Sequence, residues 1–193
     1  MRQYKGYSAK KAASAREILP AGGYVAQIKA AKVAQYSWCE KLEVAFEIIE
    51  GEFTGFFDRD YKNNTRDDKK WRGVIRLTIP TDDDDPKKDA WKRNKFENFT
   101  YCLEDSNSGY TWDWDENKLK GKKIGVLFNN FEWEIDGKSG WSTECRRAAT
   151  VDDIRDGNFK IPADRPLDNK KQTTNSINSD DFSPADDGDD VPF

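Results

Sequence analysis

Large rings and cations recur side by side along this chain. Trp38 stands close to Lys41, Phe57 and Tyr61 bracket Arg59, and Trp71 precedes Arg72 and Arg76. Further on, Phe131, Trp133 and Trp141 lead into Arg146 and Arg147. A ring offers a π-face on which another flat ring can stack, and a neighbouring cation offers an electrostatic hold on an anion. An unpaired nucleic-acid strand makes both demands, with phosphates along a positive groove and bases on aromatic supports. Each stacked base is worth about 1–3 kcal/mol. Taken singly, any one of these rings would serve equally well in core packing.

A second constellation closes the chain: Asp186, Asp187, Gly188, Asp189, Asp190, Val191, Pro192 and Phe193. Glycine and proline deny it regular structure and the four aspartates repel one another, yet it ends in apolar residues. A terminal ring and carboxylate can enter a pocket lined with Lys or Arg while the aspartates steer the approach. This segment is expected to be an exposed acidic hook for partner proteins.

The absences are restrictive. With no histidine, Ser-His-Asp, Cys-His and His-ligated metal chemistry are all excluded. Clustered carboxylates at Asp58, Asp60 and Asp82–Asp85 raise the alternative of a Mg²⁺-dependent nuclease. Four consecutive aspartates, however, do not converge on one ion, and their place before Pro86 reads as a helix entry. The turn Gly137-Lys138-Ser139-Gly140 lacks phosphate-loop spacing. Cys39, Cys102 and Cys145 lie far apart without a CxxC pair, which suits a reducing, cytoplasmic setting. The expectation is a non-enzymatic protein without cofactor or metal.

The elements that must position these residues follow from composition and periodicity. The 193 residues are 36% hydrophobic and 35% charged, with 13% aromatic content and a mean hydropathy of -0.97. That balance fits one compact domain with polar extensions. The longest apolar runs are strand-sized, so no membrane span is expected. Formal net charge is -4, yet residues 172–193 carry six aspartates and no Lys or Arg. The body is therefore mildly basic and the tail acidic, an asymmetry that points to nucleic-acid contact or tail-mediated association.

Residues 1–20 read as an N-terminal arm, 21–163 as the folded domain and 164–193 as a disordered acidic tail. Alternation at Tyr24, Ala26 and Ile28, then at Leu42, Val44, Phe46 and Ile48, predicts a hairpin with Glu43 and Glu47 on the opposite face. Phe53–Tyr61 reads as a third strand with a glycine bend, its Phe57, Arg59 and Tyr61 on one face. Val74–Ile79 gives a short apolar run. Trp91, Phe96, Phe99 and Leu103 have helical spacing. Lys122–Asp136, the turn Asp136–Gly140 and Trp141–Thr150 form a closing hairpin, and Val151–Pro162 reads as an irregular closure. Five strands with a helix between the third and fourth is the order of an OB-fold, a mainly β, five-stranded Greek-key barrel, with a generic five-stranded α+β domain as the alternative. Its first and last hairpin loops border the binding face, where Trp38, Lys41 and the Phe131–Arg147 set fall.

The terminal Asp189-Asp190-Val191-Pro192-Phe193 resembles the tip of bacterial and phage single-stranded DNA-binding proteins, where an aspartate-rich stretch ends in a hydrophobic residue, Pro and Phe. The body is similar in layout to the phage-encoded members at Leu19–Tyr24, Phe46–Gly51 and Lys120–Lys123. The resemblance implies an OB-fold and single-stranded DNA binding without sequence preference, in the host cytoplasm if phage-encoded. It also implies recruitment of replication or recombination proteins through the tail. A protein-only adaptor is the other alternative to a nuclease.

Overall fold

A computed structural model of the chain describes residues 17–167. Its framework is one five-stranded antiparallel sheet with strand order β3-β2-β1-β4-β5. The strands are β1 (Gly22–Gln35), β2 (Glu40–Ile48), β3 (Val74–Thr78), β4 (Lys123–Ile135) and β5 (Lys138–Ala149). Among the described residues three α-helices accompany them: α1 (Phe56–Asn63), α2 (Ala90–Asp105) and α3 (Val151–Asp156). The protein is thus mainly β, as the periodicity predicts. The sheet is open, with β3 and β5 as its edges. Those edges approach through a side chain: an Arg72 guanidinium N–H donates to Ser142 Oγ at 3.1 Å.

Alternation places the core. Leu42, Val44, Phe46 and Ile48 are each 2% exposed or less. They lie opposite Val33, Ala31, Ile28 and Ala26 of β1, so one face of the hairpin is apolar throughout. Strand β1 continues past the predicted alternation at Ile28 to Gln35 because a bulge at Lys29, between the Ile28–Phe46 and Ala30–Ala45 pairs, bends it without breaking it. The bend lets residues 22–27 pair with β4 while the remainder continues along β2.

The third predicted strand is a helix. Phe53, Phe56, Phe57 and Tyr61 recur at i, i+3, i+4 and i+8, one helical face, and a two-residue reading mistakes that stripe for alternation. Phe56 and Phe57 are buried, and Phe57 meets Phe46 edge-on at 5.7 Å and stacks on Phe128 at 6.1 Å. Residue Gly55, at φ 72°, opens the helix without a side-chain cap. The cap comes from β2: Glu47 Oε1 accepts from Phe57 N (3.0 Å) and Oε2 from Asp58 N (2.7 Å). Glu47 is 7% exposed, so this residue, predicted on the face opposite the apolar stripe, is an internal N-cap across elements.

The aspartate run before Pro86 is a turn, and α2 starts only at Ala90. Asp84 accepts from Thr81 N and pairs with Lys92 at 2.9 Å, while Asp85 Oδ1 accepts from the backbone N–H groups of Lys87 and Lys88. These local bonds satisfy the carboxylates before any helix forms. Helix α2 buries Phe96, Phe99, Cys102 and Leu103. The predicted irregular closure contains α3, capped where Thr150 Oγ1 accepts from Asp153 N at 3.0 Å. It packs against Gly23 and Gly125 on neighbouring strands. A Cβ on Gly23 would lie 2.7 Å from Ile154 Cδ1, and one on Gly125 2.7 Å from Ile154 Cγ1.

Both ends of the described chain lie on the sheet. Leu19 is 2% exposed, and its carbonyl accepts from Thr143 Oγ1 at 2.8 Å. Beyond Phe128, β4 has no β1 partner, and the segment 163–167 takes that place. Arg165 N donates to Asn130 O and Glu132 N donates to Arg165 O, both at 2.8 Å, forming a parallel bridge between Phe131 and Arg165. Asn129 Nδ2 donates to Ala163 O, Leu167 N donates to Glu132 Oε2, and Arg165 pairs with Glu144.

Candidate nucleic-acid interface

The predicted contact residues fall into three groups. The first lies at the β1–β2 hairpin. Lys41 Nζ sits 4.8 Å from the Tyr36 ring centroid and 4.9 Å from that of Trp38, a cation between two rings. Trp38 is 54% exposed, and among the described residues Lys41 makes no ion pair. On the same outer face of the sheet, Lys32, Glu43 and Arg76 form a row across β1, β2 and β3. Glu43 accepts from Tyr36 Oη (2.7 Å) and from Arg76 Nε (3.1 Å), and pairs with Lys32 at 3.2 Å. Partial burial pushes the Glu43 carboxyl up, but the hydrogen bonds from Tyr36, Lys32 and Arg76 outweigh it and hold the group below the usual carboxylate range.

The second group surrounds the entry to β3. Trp71 lies 5.9 Å from the Tyr61 ring and 6.4 Å from that of Phe57, and its Nε1–H donates to Phe46 O at 3.1 Å. Lys69 Nζ sits 4.7 Å over the Tyr61 ring. Arg72 approaches Asp60 at 3.8 Å besides bonding Ser142. Helical geometry separates the predicted trio of Phe57, Arg59 and Tyr61. Phe57 is core at 4% exposure, and its ring has no open face for a ligand. Tyr61, one turn on, joins Trp71. Arg59 points away and donates to Thr54 O at 2.5 Å.

The third group is the β4–β5 hairpin, closed by Asp136 (φ 52°) and Gly137 (φ 72°), the Asp-Gly turn read from sequence. Register divides its rings. Phe131 and Trp133 share one face opposite Ser142 and Gly140, whereas Trp141, 46% exposed, stands opposite Glu132 on the other face. Gly140 leaves room for Trp133 to lie across the strand, since a Cβ there would meet Trp133 Cζ2 at 2.9 Å. Arg146, at a bulge between the Leu127–Arg147 and Phe128–Cys145 pairs, reaches Glu144 at 3.6 Å. Arg147 is exposed and makes no ion pair among the described residues.

An aromatic group outside the predicted set is equally prominent. Between α2 and β4, Tyr110, Trp112 and Trp114 alternate with polar residues. Trp114 is 70% exposed and stacks on Phe96 at 5.6 Å and 13°. The signal that would have found it is the two-residue period of three rings in Tyr110-Thr111-Trp112-Asp113-Trp114.

The predicted hook, Asp186, Asp187, Asp189, Asp190, Val191, Pro192 and Phe193, lies outside the described residues. Among those described, no three Cys, Asp or Glu side chains converge as a metal site. Asp58 pairs with Lys62 at 2.6 Å, and Asp60 lies near Arg72. Burial pushes the thiol of Cys145 up to about 12 and that of Cys102 to about 11, so neither is a thiolate at neutral pH. No described helix is long and apolar enough to cross a membrane. No protein-family model matches the chain, and no curated protein matches it either.

Proposed function

We propose that this chain binds single-stranded DNA without sequence preference through an OB-type domain and brings partner proteins to it through its acidic C-terminal tip. The strand order supports the OB reading: β3-β2-β1-β4-β5 is the sequence of neighbours in that barrel, with the seam falling between β3 and β5. Arg72 and Ser142 span the seam. In OB-folds, the face of the second and third strands and the loops joining strands one to two and four to five form the groove.

The observation that carries the reading is the Lys41 ammonium held between Tyr36 and the exposed Trp38. It joins a base platform to a phosphate contact at one end of that face. Trp71 with Tyr61 at the entry to β3, and the β4–β5 hairpin, where Trp133 and Trp141 lie on opposite faces, offer further rings beside cations. The terminal Asp-rich Val-Pro-Phe sequence supports the recruiting role.

Titration of the full chain with oligo-dT, followed by tryptophan fluorescence at two salt concentrations, tests the proposal. Saturable quenching that weakens steeply with salt is expected, because phosphate contacts release counterions. Absence of a saturable quench would favour a protein-only adaptor. Mg²⁺-dependent loss of labelled single strands would favour a nuclease.

A further inference from the structure

Trp114 is a large ring held in an unusual position. Its backbone lies at φ 66°, a region that bulky residues rarely occupy and that costs backbone energy unless the surroundings impose it. The residue gains little burial in return, being 70% exposed. What the conformation achieves is orientation. One face of the indole lies nearly parallel to Phe96, which is itself 4% exposed, and Trp112 closes the flank at 6.1 Å. The opposite face is therefore a fixed, solvent-exposed aromatic plane.

The charges around it narrow the ligand. Asp113 and Asp115 flank Trp114 in sequence, and Lys118 pairs with both and offsets part of their charge. Arg93 precedes Phe96 by three residues and so shares its face of α2. It is exposed and donates to the Thr81 carbonyl at 3.3 Å. Lys122 Nζ sits 4.3 Å over the ring of Tyr110, four residues before Trp114 in sequence. Cations and rings thus occur together here as they do at the two hairpins.

We infer that Trp114 is a further base-stacking platform, taking an unpaired nucleobase on its open face while Arg93 holds the adjoining phosphate. This rests on the single-stranded DNA reading and extends it: a strand longer than the groove continues onto the α2 side of the domain. Base stacking on tryptophan tolerates any base, which suits a coating function.

The test is affinity as a function of strand length. Wild type, Trp114→Leu and Trp114→Phe are titrated with oligo-dT of about six nucleotides, within one OB groove, and of about thirty nucleotides. Leu keeps an apolar cover over Phe96 but has no π-face, whereas Phe retains one. Circular dichroism melting confirms that each variant is folded. Trp114→Leu is expected to bind the short strand as wild type does and the long strand roughly ten-fold more weakly, with Phe restoring most of the loss. Unchanged long-strand affinity in folded Trp114→Leu, or an equal loss at both lengths, would overturn the platform while leaving the groove intact. So would a change confined to self-association in sedimentation. Failure of wild type to bind either strand would overturn both proposals.

Discussion

At the scale of single residues, Glu43 decides how much positive charge the outer face can offer. Its carboxylate engages Lys32 and Arg76 together, so two cations on the proposed DNA face are partly neutralised at rest. Glu43→Gln is expected to tighten oligo-dT binding and steepen its dependence on log salt, since each freed cation adds about 0.7 to the slope for a single strand. The same residue has a pH signature. Because its folded pKa is held below the unfolded value of about 4.3, the stability it contributes is complete above that value. It is lost as pH falls through the folded pKa. Urea unfolding from pH 6 to pH 3 should therefore show the wild type and Glu43→Gln converging toward the acid end. Trp38→Ala, at an exposed ring, should lower DNA affinity roughly five-fold or more and leave the melting temperature unchanged.

Elements were legible where a side-chain period was pure. The Leu42–Ile48 alternation and the Phe96–Leu103 stripe correspond to observed elements because each buries an apolar face, and the exposed Asp136-Gly137 turn because its residues accept positive φ. Helix α1 was misread because Phe53, Phe56, Phe57 and Tyr61 fit a strand and a helix over so short a run, and the deciding contact comes from another element, ten residues back in sequence. Glu47 supplies it. Replacing Glu47 with Ala leaves the Phe57 and Asp58 N–H groups without their acceptor and should cost about 3 kcal/mol, read as a lower urea midpoint, with Gln recovering part. The candidate site was legible as residue types but not as geometry. Phe57 fell into the core, Trp133 and Trp141 fell on opposite faces, and Trp114 was passed over because it lies between the predicted α2 stripe and the closing hairpin, in no predicted element. At α3, close approach depends on Gly23 and Gly125. Gly125→Ala would drive a methyl against Thr150 O and Ile154, and about 1–3 kcal/mol of destabilisation is expected from such overpacking, measured in the same unfolding assay.

For the molecule as a whole, the uneven charge of the sequence makes one prediction that no single contact makes. Removing residues 172–193 takes away six negative charges, so the remaining body should bind oligo-dT more tightly at low salt. Equal or weaker binding would show that the tail does not oppose the strand electrostatically. Removing only 186–193 should abolish partner recruitment while DNA binding persists. The bridge between Phe131 and Arg165 adds a spatial consequence. By fastening the chain to the outer half of β4, it sets the origin of everything downstream at the hairpin rather than at the opposite pole. From Leu167 the remaining residues, at 3.3–3.6 Å each, cannot reach beyond roughly 90 Å. On the proposed reading, successive copies on one strand would present tips within reach of one another, and an enzyme leaving one tip would find the next in range without returning to bulk solution.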